Sequence, residues 1–184
     1  MLELVNTTGQ RPRNLILIGF MGTGKTTIGK RVARSLGMKF VDTDLLIAEK
    51  AGKSIPTIFE ESGEDAFRSL ETEVLKECRE RDGQVVSTGG GIVTRPENLE
   101  ILKSSGYVIW LKASPEIIFE RVSRNQNRPL LKTRNPQKTI TDLLTQRDDL
   151  YAGAQHLSIN TDELTMEETC FGVTESTKLA LGID

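Results

Sequence analysis

Short apolar runs alternate with longer helical patterns along most of the chain. The runs are NLILIG, KFVD, QVVST, YVIWL and LSIN. NLILIG is a short apolar run of the kind that forms a buried strand of a parallel sheet, and the other four runs are further short strands. Helices are predicted over residues 25–36, 44–51, 55–61, 64–81, 96–104, 115–124, 137–152 and 165–181. Strands that alternate with helices in this way predict an α/β fold, with a parallel sheet covered by helices on both faces.

The two ends of this pattern predict the domain organisation. Residues 1–13 are polar and include Gly9 and Pro12, so we expect a flexible N-terminal tail. Residues 14–184 then suit a single domain. Within it, the polar, proline-bearing stretch NQNRPLLKTRNPQ, residues 125–137, predicts a mobile loop.

Composition and charge narrow the class of protein. Hydrophobic residues make up 37% of the chain and charged residues 27%, which suits one packed core and disfavours a disordered chain. The net charge is −2, and no dense run of Lys and Arg appears, so nucleic acid is not an expected partner. No apolar run approaches the roughly 20 residues that span a bilayer, so no membrane partner is expected.

The cysteines and the N-terminal residues indicate a cytoplasmic location. Cys78 and Cys170 lie far apart and outside any metal-ligand spacing, which is typical of reduced thiols in a cytosolic protein. The first residues, MLELVNTTGQRPRN, lack the apolar core of a secretory signal. His156 and Trp110, the only histidine and the only tryptophan, are expected to be structural.

A phosphate-binding motif follows the first predicted strand. Residues 19–26 read GFMGTGKT and fit the pattern G-x-x-x-x-G-K-[ST] between a strand and a helix. Its glycines allow the backbone N–H groups to wrap around phosphate oxygens, at the positive end of the helix dipole. Lys25 would reach the β- and γ-phosphates, and the Thr26 hydroxyl is a candidate Mg²⁺ ligand. The alternative is a simple helix-entry turn. The predicted nucleotide-binding residues of this segment are Gly22, Thr23, Gly24, Lys25, Thr26 and Thr27.

Two carboxylates follow the second strand, in the sequence FVDTD. If the backbone there is extended, Asp42 and Asp44 lie on one face and can both point toward the phosphates and the metal. Asp44 is the candidate for orienting an acceptor hydroxyl and accepting its proton, and Asp42 for holding Mg²⁺. Alternatively, Asp44 caps the helix that follows. The order of the two roles stays open.

Three consecutive glycines, Gly89, Gly90 and Gly91, follow the third strand. Because glycine costs conformational entropy on folding, this run needs a reason. One reason is the close approach of a ligand to bare backbone, and the other is a tight turn. No aspartate ends this strand, so Asp42 is the remaining candidate for orienting the metal.

Three arginines are candidates for anion binding. Arg68 and Arg147 lie on predicted helices, where a solvated surface arginine is the ordinary interpretation, and Arg68 could pair with Glu71 one turn on. Only the tertiary fold could bring both together as a bidentate carboxylate clamp. Arg128 precedes Pro129 in the mobile loop, which keeps it out of helical conformation. From there it could neutralise charge on a transferred phosphoryl group, while closure of the loop excludes water.

In combination these motifs resemble those of the shikimate kinases, over about residues 14–180. GFMGTGKT, FVDTD, the FR of DAFRSLE, STGGG, NRPLL and RDDLY occur in the order seen in that family. The STGGG and FR elements separate this group from nucleoside monophosphate kinases. The resemblance implies transfer of the γ-phosphoryl group of ATP to the 3-hydroxyl of shikimate, with Mg²⁺, in the chorismate and aromatic amino-acid pathway.

The resemblance also implies a structure. It is a P-loop NTPase-like three-layer fold, in which a five-stranded parallel sheet has helices on both faces. A substrate-binding helical region would lie at about residues 43–71 and a mobile lid at about residues 122–137. The partner is a small molecule, and we expect a monomer.

Site residues follow from the matched motifs. Asp44 matches the aspartate that contacts the substrate hydroxyls, Arg128 the lid arginine, and Arg121 an arginine that stacks near adenine. Lys25, Asp44 and Arg128 would be catalytic. The positions that match the carboxylate-binding and wall residues of the family are Arg68, Arg147, Gly89, Gly90, Gly91, Phe59 and Phe67.

Two other functions remain open on the sequence. Another small-molecule kinase, for example one acting on gluconate, would share the phosphate motif but differ in the constellation of Arg68, Arg147 and the glycine run. A protein that only binds the ligand would be expected to lack Lys25, Asp44 or one of these arginines, and all are present.

Overall fold

A parallel sheet forms the centre of the molecule. The computed structural model describes residues 13–123 and 133–183, and within them the sheet has five strands in the order β2-β3-β1-β4-β5. All four neighbouring pairs are parallel, which confirms the predicted sheet. The strands are β1 (Leu15–Ile18), β2 (Lys39–Asp42), β3 (Gln84–Ser87), β4 (Tyr107–Lys112) and β5 (Leu157–Asn160).

Helices connect the strands and cover both faces of the sheet. Their bounds differ from the predicted ones mainly at the ends. The helices are α1 (Lys25–Leu36), α2 (Thr43–Ala51), α3 (Ile55–Arg79), α4 (Pro96–Ser105), α5 (Pro115–Ser123), α6 (Pro136–Ala154) and α7 (Met166–Leu181), with a short 3-10 helix at Ile92–Thr94.

The helix α3 spans two segments that the pattern predicted as separate helices. Gly63 interrupts it with a φ of 79° and a ψ of 176°. Only glycine adopts this conformation readily, so the predicted break is a kink inside one long element. Phe59 precedes the kink, whereas Phe67 and Arg68 follow it, so the kink sets the angle between two parts of the predicted substrate region.

The alternation of side chains in β1 divides the core into two layers. Ile16 and Ile18 pack with residues of α2, α3, α4 and α6, whereas Leu15 and Leu17 pack with α1 and α7. All four β1 side chains are fully buried. The three-layer arrangement is therefore confirmed, and it explains why the central strands β1, β3 and β4 are mostly apolar.

The central position of β1 brings three motifs to one edge of the sheet. The glycine-rich loop follows β1, α2 begins directly after β2, and the glycine run follows β3. These strands are neighbours, and Asp42 lies beside Ser87 in the β2–β3 register. Because the carboxyl ends of parallel strands meet at the same edge, this is where a ligand is expected.

Some predictions lie outside the described residues. These are the tail at residues 1–12, the central part of the lid at residues 124–132 with Arg128, and residue 184. Among the helices of the described ranges, none is both long and apolar enough to cross a membrane.

Candidate active site

The loop after β1 folds tightly because its glycines adopt positive φ. Gly19, Gly22 and Gly24 have φ values of 139°, 83° and 92°, a region that other residues avoid. The buried Thr23 closes the loop, since its hydroxyl donates to the carbonyl of Phe20 at 2.8 Å. Gly24 is the N-cap of α1 and provides no side-chain cap, so the positive end of the helix dipole lies directly at this loop.

Lys25 lies across this loop and holds its two sides together. Its Nζ donates to the carbonyls of Gly19 and Phe20, both at 2.8 Å, and the residue is only 8% exposed. A buried ammonium at the base of a glycine loop is well placed for phosphate charge. The structure thus brings the predicted loop residues together in a phosphate-binding conformation, and their binding of nucleotide stays a prediction.

Hard oxygen ligands meet beside the start of α1. The Thr26 hydroxyl donates to Asp42 Oδ2 at 3.0 Å and lies 3.4 Å from the Ser87 hydroxyl. Such oxygens suit Mg²⁺, which is normally held by one or two protein groups together with substrate phosphates. Within the described ranges, no three His, Cys, Asp or Glu side chains form a metal cluster. The donor set therefore fits a metal that is shared with a nucleotide.

Asp42 and Asp44 are neighbours, but the predicted extended geometry is wrong. Asp42 ends β2, whereas Asp44 already lies in the first turn of α2. The alternative that Asp44 caps the helix is also wrong, because Asp42 is the N-cap and its Oδ1 accepts the Asp44 N–H at 3.1 Å. The helix directs Asp44 toward the glycine run, where a β-carbon at Gly89 would lie 2.7 Å from Asp44 Oδ1.

Arg68 is not a solvated surface arginine. Its side chain is 11% exposed and forms ion pairs with Glu64 at 2.8 Å and with Glu71 at 2.5 Å. The Glu71 side chain is 1% exposed. Burial raises the pKa of Glu71 against the lowering effect of Arg68, and the charge of Asp44 raises it further while Arg147 lowers it. Arg68, Asp44 and Arg147 therefore belong to one electrostatic cluster around a buried carboxylate.

Arg147 is also buried, at 9% exposure, on the face of α6 that meets the glycine run. Its Nη1 donates to the carbonyl of Gly90 at 3.2 Å, and its guanidinium lies 5.7 Å from the centre of the Phe20 ring. Tyr151, one turn on, donates to the same carbonyl at 2.5 Å. The fold thus removes the surface interpretation for both predicted clamp arginines.

Each residue of the glycine run has a different neighbour. A β-carbon at Gly89 would lie 2.7 Å from both Asp44 Oδ1 and Glu71 Oε1, and one at Gly91 would lie 2.1 Å from Arg68 Nη1. A β-carbon at Gly90 would lie 3.2 Å from the backbone nitrogen of Met21. None of the three has a positive φ, so backbone strain does not require glycine here. The close approach comes from the protein's own side chains and loop.

The remaining predicted residues flank this centre. The rings of Phe59 and Phe67 lie 4.6 Å apart and form an aromatic pair beside Arg68, whose guanidinium is 5.4 Å from the Phe67 ring. Arg121 donates to the Thr161 hydroxyl and carbonyl at 3.0 Å each and to the Gly22 carbonyl at 3.4 Å. Arg121 therefore borders the phosphate loop, and its contact with adenine stays a prediction.

The sequence pattern does not single out three residues that the structure places at the site. It offers Glu71 only as a surface partner of Arg68 and assigns no role to Tyr151 or to the Ser87 hydroxyl. The available signal was helical spacing, because Glu71 follows Arg68 by three positions and Tyr151 follows Arg147 by four. Ser87 ends β3, beside the end of β2 in the sheet.

The arrangement combines two candidate anion-binding positions at one edge of the sheet. The first is the glycine loop with Lys25, and the second is the glycine run with Arg68 and Arg147. The carboxylate of Asp44 lies at the glycine run, close to the metal candidate Asp42. Such a site can hold a polyphosphate and an organic acid side by side, with a carboxylate available for a proton.

Comparisons with known proteins find the same family by a family model and by individual relatives. The sequence model of the family "Shikimate kinase" matches residues 21–178. A shikimate kinase of Thermodesulfovibrio yellowstonii is 47% identical over 156 residues, covering 85% of this chain and 90% of that protein. One of Geobacter sulfurreducens is also 47% identical over 156 residues, covering 85% and 86%.

The fold agrees with the sequence comparison. The solved structure of a shikimate kinase from Acinetobacter baumannii in complex with shikimate superposes with a TM-score of 0.86 at 41% identity, covering 90% of this chain and 92% of that chain. With the family match extending over most of the described fold, the chain belongs to the shikimate kinase family.

Proposed function

We propose that this protein is a shikimate kinase, which transfers the γ-phosphoryl group of ATP to the 3-hydroxyl of shikimate and gives shikimate 3-phosphate and ADP. The observation that carries the proposal is the burial of both Arg68 and Arg147 against a glycine run that adjoins a complete phosphate loop. Membership of the family, and likeness to a structure that contains shikimate, support the same substrate.

The two arginines would bind the carboxylate of the acid. A guanidinium offers several N–H donors in a planar fork, so two of them can bind both carboxylate oxygens and fix the ring in one orientation. The aromatic pair Phe59–Phe67 lies next to Arg68 and would cover one face of that ring. Anchoring the acid in this way converts the transfer into a reaction between positioned groups.

Asp44 would orient the acceptor hydroxyl and accept its proton as the phosphoryl group is transferred. It is suited to this role because α2 directs it to Gly89, beside the second anion position. Nearby, the charge of the buried Glu71 is coupled to that of Asp44.

The phosphate loop would bind ATP through its N–H groups and Lys25. Thr26 and Asp42, with Ser87 next to them, are the residues that would hold Mg²⁺, directly or through water. When bound, the metal would neutralise charge on the phosphates. The role of Arg128 in the lid, the monomeric state and the cytoplasmic location also stay predictions.

A kinase of gluconate is the second candidate, because a carboxylate clamp would also hold an open-chain hydroxy acid. The Phe59–Phe67 pair favours a ring over an open chain, since aromatic faces pack well on flat or cyclic groups.

The decisive experiment measures ADP release with shikimate, gluconate and a panel of nucleoside monophosphates, with the site of phosphorylation determined by NMR. We expect that shikimate is the only acceptor in this panel that is phosphorylated, and that its product carries the phosphate at the 3-position. A Lys25→Ala preparation, purified in parallel, controls for contaminating kinases. Turnover restricted to gluconate or to a nucleotide would overturn the proposal.

A further inference from the structure

The carbonyl of Gly90 accepts two hydrogen bonds from one helix. Tyr151 donates its hydroxyl to this oxygen at 2.5 Å, and Arg147 donates Nη1 at 3.2 Å. The two donors are four residues apart on α6 and therefore share a face of the helix. One backbone oxygen thus ties the glycine run to the helix that carries the acid-binding arginine.

Tyr151 is held rigidly for this contact. The residue is fully buried, and its ring stacks on Trp110 with the centroids 5.4 Å apart. Lys112 in turn lies over the Trp110 ring, with its Nζ 4.2 Å from the centre of that ring. Burial raises the pKa of Tyr151, so its hydroxyl stays protonated and keeps its proton to donate.

Gly90 also packs directly on the phosphate loop. A β-carbon at this position would lie 3.2 Å from Met21 N, 3.5 Å from Gly19 O and 3.6 Å from the carbonyl carbon of Phe20. A shift of Gly90 would therefore disturb the loop that we assign to ATP. The donors on Gly90 fix the spacing between the two halves of the site.

We propose that Tyr151 is a positioning residue for acid binding: it retains the Gly90 carbonyl, so that Arg147 can donate to the carboxylate of the substrate. This inference rests on the proposed function, in which Arg147 binds that carboxylate. The Gly90 carbonyl and the carboxylate of the substrate compete for the N–H groups of Arg147. Arg147 contacts Gly90 in the structure described. In this inference, hydrogen bonds to the acid draw its N–H groups away from that oxygen.

The Tyr151 hydroxyl decides what this exchange costs. With Tyr151 present, the carbonyl keeps a protein donor when Arg147 turns to the acid. Without the hydroxyl, Arg147 is the remaining donor to the partly buried carbonyl of Gly90. When an acid binds, Arg147 must then either leave this carbonyl without a protein donor or divide its N–H groups between the carbonyl and the acid. An unsatisfied buried acceptor is unfavourable, so the loss appears in acid affinity.

The first test is Tyr151→Phe, which keeps the ring on Trp110 and removes the hydroxyl alone. We expect the KM and the Kd for shikimate to rise roughly fivefold to tenfold, as for one lost hydrogen bond. Since Arg147 still supports Gly90 while no acid is bound, the Kd for ATP of the substrate-free protein should stay within about twofold of wild type. The Kd can be followed by fluorescence of the single tryptophan.

Tyr107→Phe is the matched control. Tyr107 is the other tyrosine of the chain, is also buried, and packs in the opposite layer of the core. Its loss of a hydroxyl should change neither the affinity for shikimate nor that for ATP. If Tyr151→Phe and Tyr107→Phe have the same kinetics, the positioning role is wrong.

A double-mutant cycle separates action through Arg147 from a general effect on the fold. The loss of shikimate affinity in Tyr151→Phe should disappear in an Arg147→Ala background, because no arginine is left to release. Equal losses in both backgrounds would contradict the inference. Failure of the wild type to bind or phosphorylate shikimate would refute the proposed function itself, which is a different result.

If Tyr151→Phe does not fold, fluorine NMR of the protein that retains Tyr151 tests the same inference. Protein labelled with 3-fluorotyrosine should give two fluorine resonances, and Tyr107→Phe identifies the one from Tyr151. Saturating shikimate should shift the Tyr151 resonance, because its partner Arg147 moves, and leave that of Tyr107 in place. A Tyr151 resonance that does not move in a protein that binds shikimate would overturn the inference.

Discussion

At the scale of single residues, the site depends on side chains that occupy the space left by glycines. Arg68 lies where a side chain on Gly91 would be, and Asp44 and Glu71 lie where one on Gly89 would be. The flexible end of an arginine can move aside, whereas backbone cannot. Adding a methyl group at Gly91 should therefore disturb function more than folding.

Gly91→Ala should displace Arg68 and weaken binding of shikimate. Loss of a hydrogen bond to a charged group costs about 1.5–3 kcal/mol, which is roughly a tenfold to hundredfold rise in KM. The KM for ATP and the melting temperature should change little. Gly153→Ala is the control, because a β-carbon there has nothing within 4 Å and α6 accepts alanine readily. Equal KM values in the two variants would show that Arg68 does not bind the acid.

Asp44→Asn tests the proton acceptor. Asparagine keeps the size of the side chain but cannot accept the proton, so kcat should fall by at least roughly a hundredfold. Binding of ATP, measured by titration, should be retained because Lys25 and its loop are unchanged. Asp82→Asn, at an exposed carboxylate paired with Arg13, provides the control. Turnover of Asp44→Asn near that of the control would remove Asp44 from the mechanism.

At the scale of elements, a titratable residue, His156, lies directly before the edge strand β5 and forms hydrogen bonds to β4. The backbone N–H of His156 donates to the carbonyl of Val108 at 2.8 Å, and the backbone N–H of Val108 donates to Nδ1 of the His156 ring at 3.0 Å. Only an imidazole without a proton on Nδ1 can accept this bond. Burial, assisted by the charge of Lys103, lowers the pKa of His156.

The contribution of His156 to stability should therefore decrease in acid. Because its pKa is lower in the folded protein than in the unfolded chain, the unfolded chain binds more protons just below the ordinary value of about 6.5. Stability should fall as the pH drops through that value toward the folded pKa. His156→Asn can still present an acceptor to Val108 but does not titrate.

Melting temperatures at pH 7.5 and pH 5.5 check this expectation. The stability advantage of the wild type over His156→Asn should be smaller at the lower pH. An advantage that does not change with pH would contradict the assignment of the titration to His156.

At the scale of the whole molecule, ligand binding and folding are coupled through the central strand. β1 contributes to both core layers and leads directly into the phosphate loop, so the loop exists only in the folded chain. A ligand that binds only the folded state stabilises it, by about 2.7 kcal/mol at a hundredfold excess over Kd.

ATP with Mg²⁺ should therefore raise the melting temperature, and Lys25→Ala should remove most of this shift. Thermal unfolding with and without nucleotide measures it. Lys30→Ala, at an exposed lysine of the same helix, should keep the full shift. A shift that persists in Lys25→Ala would mean that the nucleotide does not bind at this loop.

Much of the fold follows from local pattern. The five predicted runs became the five strands within one or two residues. The central strands β1, β3 and β4 are buried almost throughout, which explains their apolar character, whereas the edge strands β2 and β5 are partly exposed. The phosphate loop was equally predictable, since its glycines and Lys25 act within eight consecutive residues. Local patterns fail where a segment could continue a strand or start a helix. At Asp44 the helix is formed, because α2 begins at Thr43 and the strand does not continue to Asp44.

Tertiary structure decided which residues form the half of the site that we propose for acid binding. Arg147 and Tyr151 meet Gly90 across 57 and 61 residues of chain, and the burial of Arg68 depends on the glycine run that faces it. Taken alone, each arginine looked like an ordinary surface residue. The sequence by itself determined the strands, the layers and the phosphate loop, because their periods and turns are local. Only the assembled sheet, which brings the ends of β1, β2 and β3 together, decided which distant charges share one site.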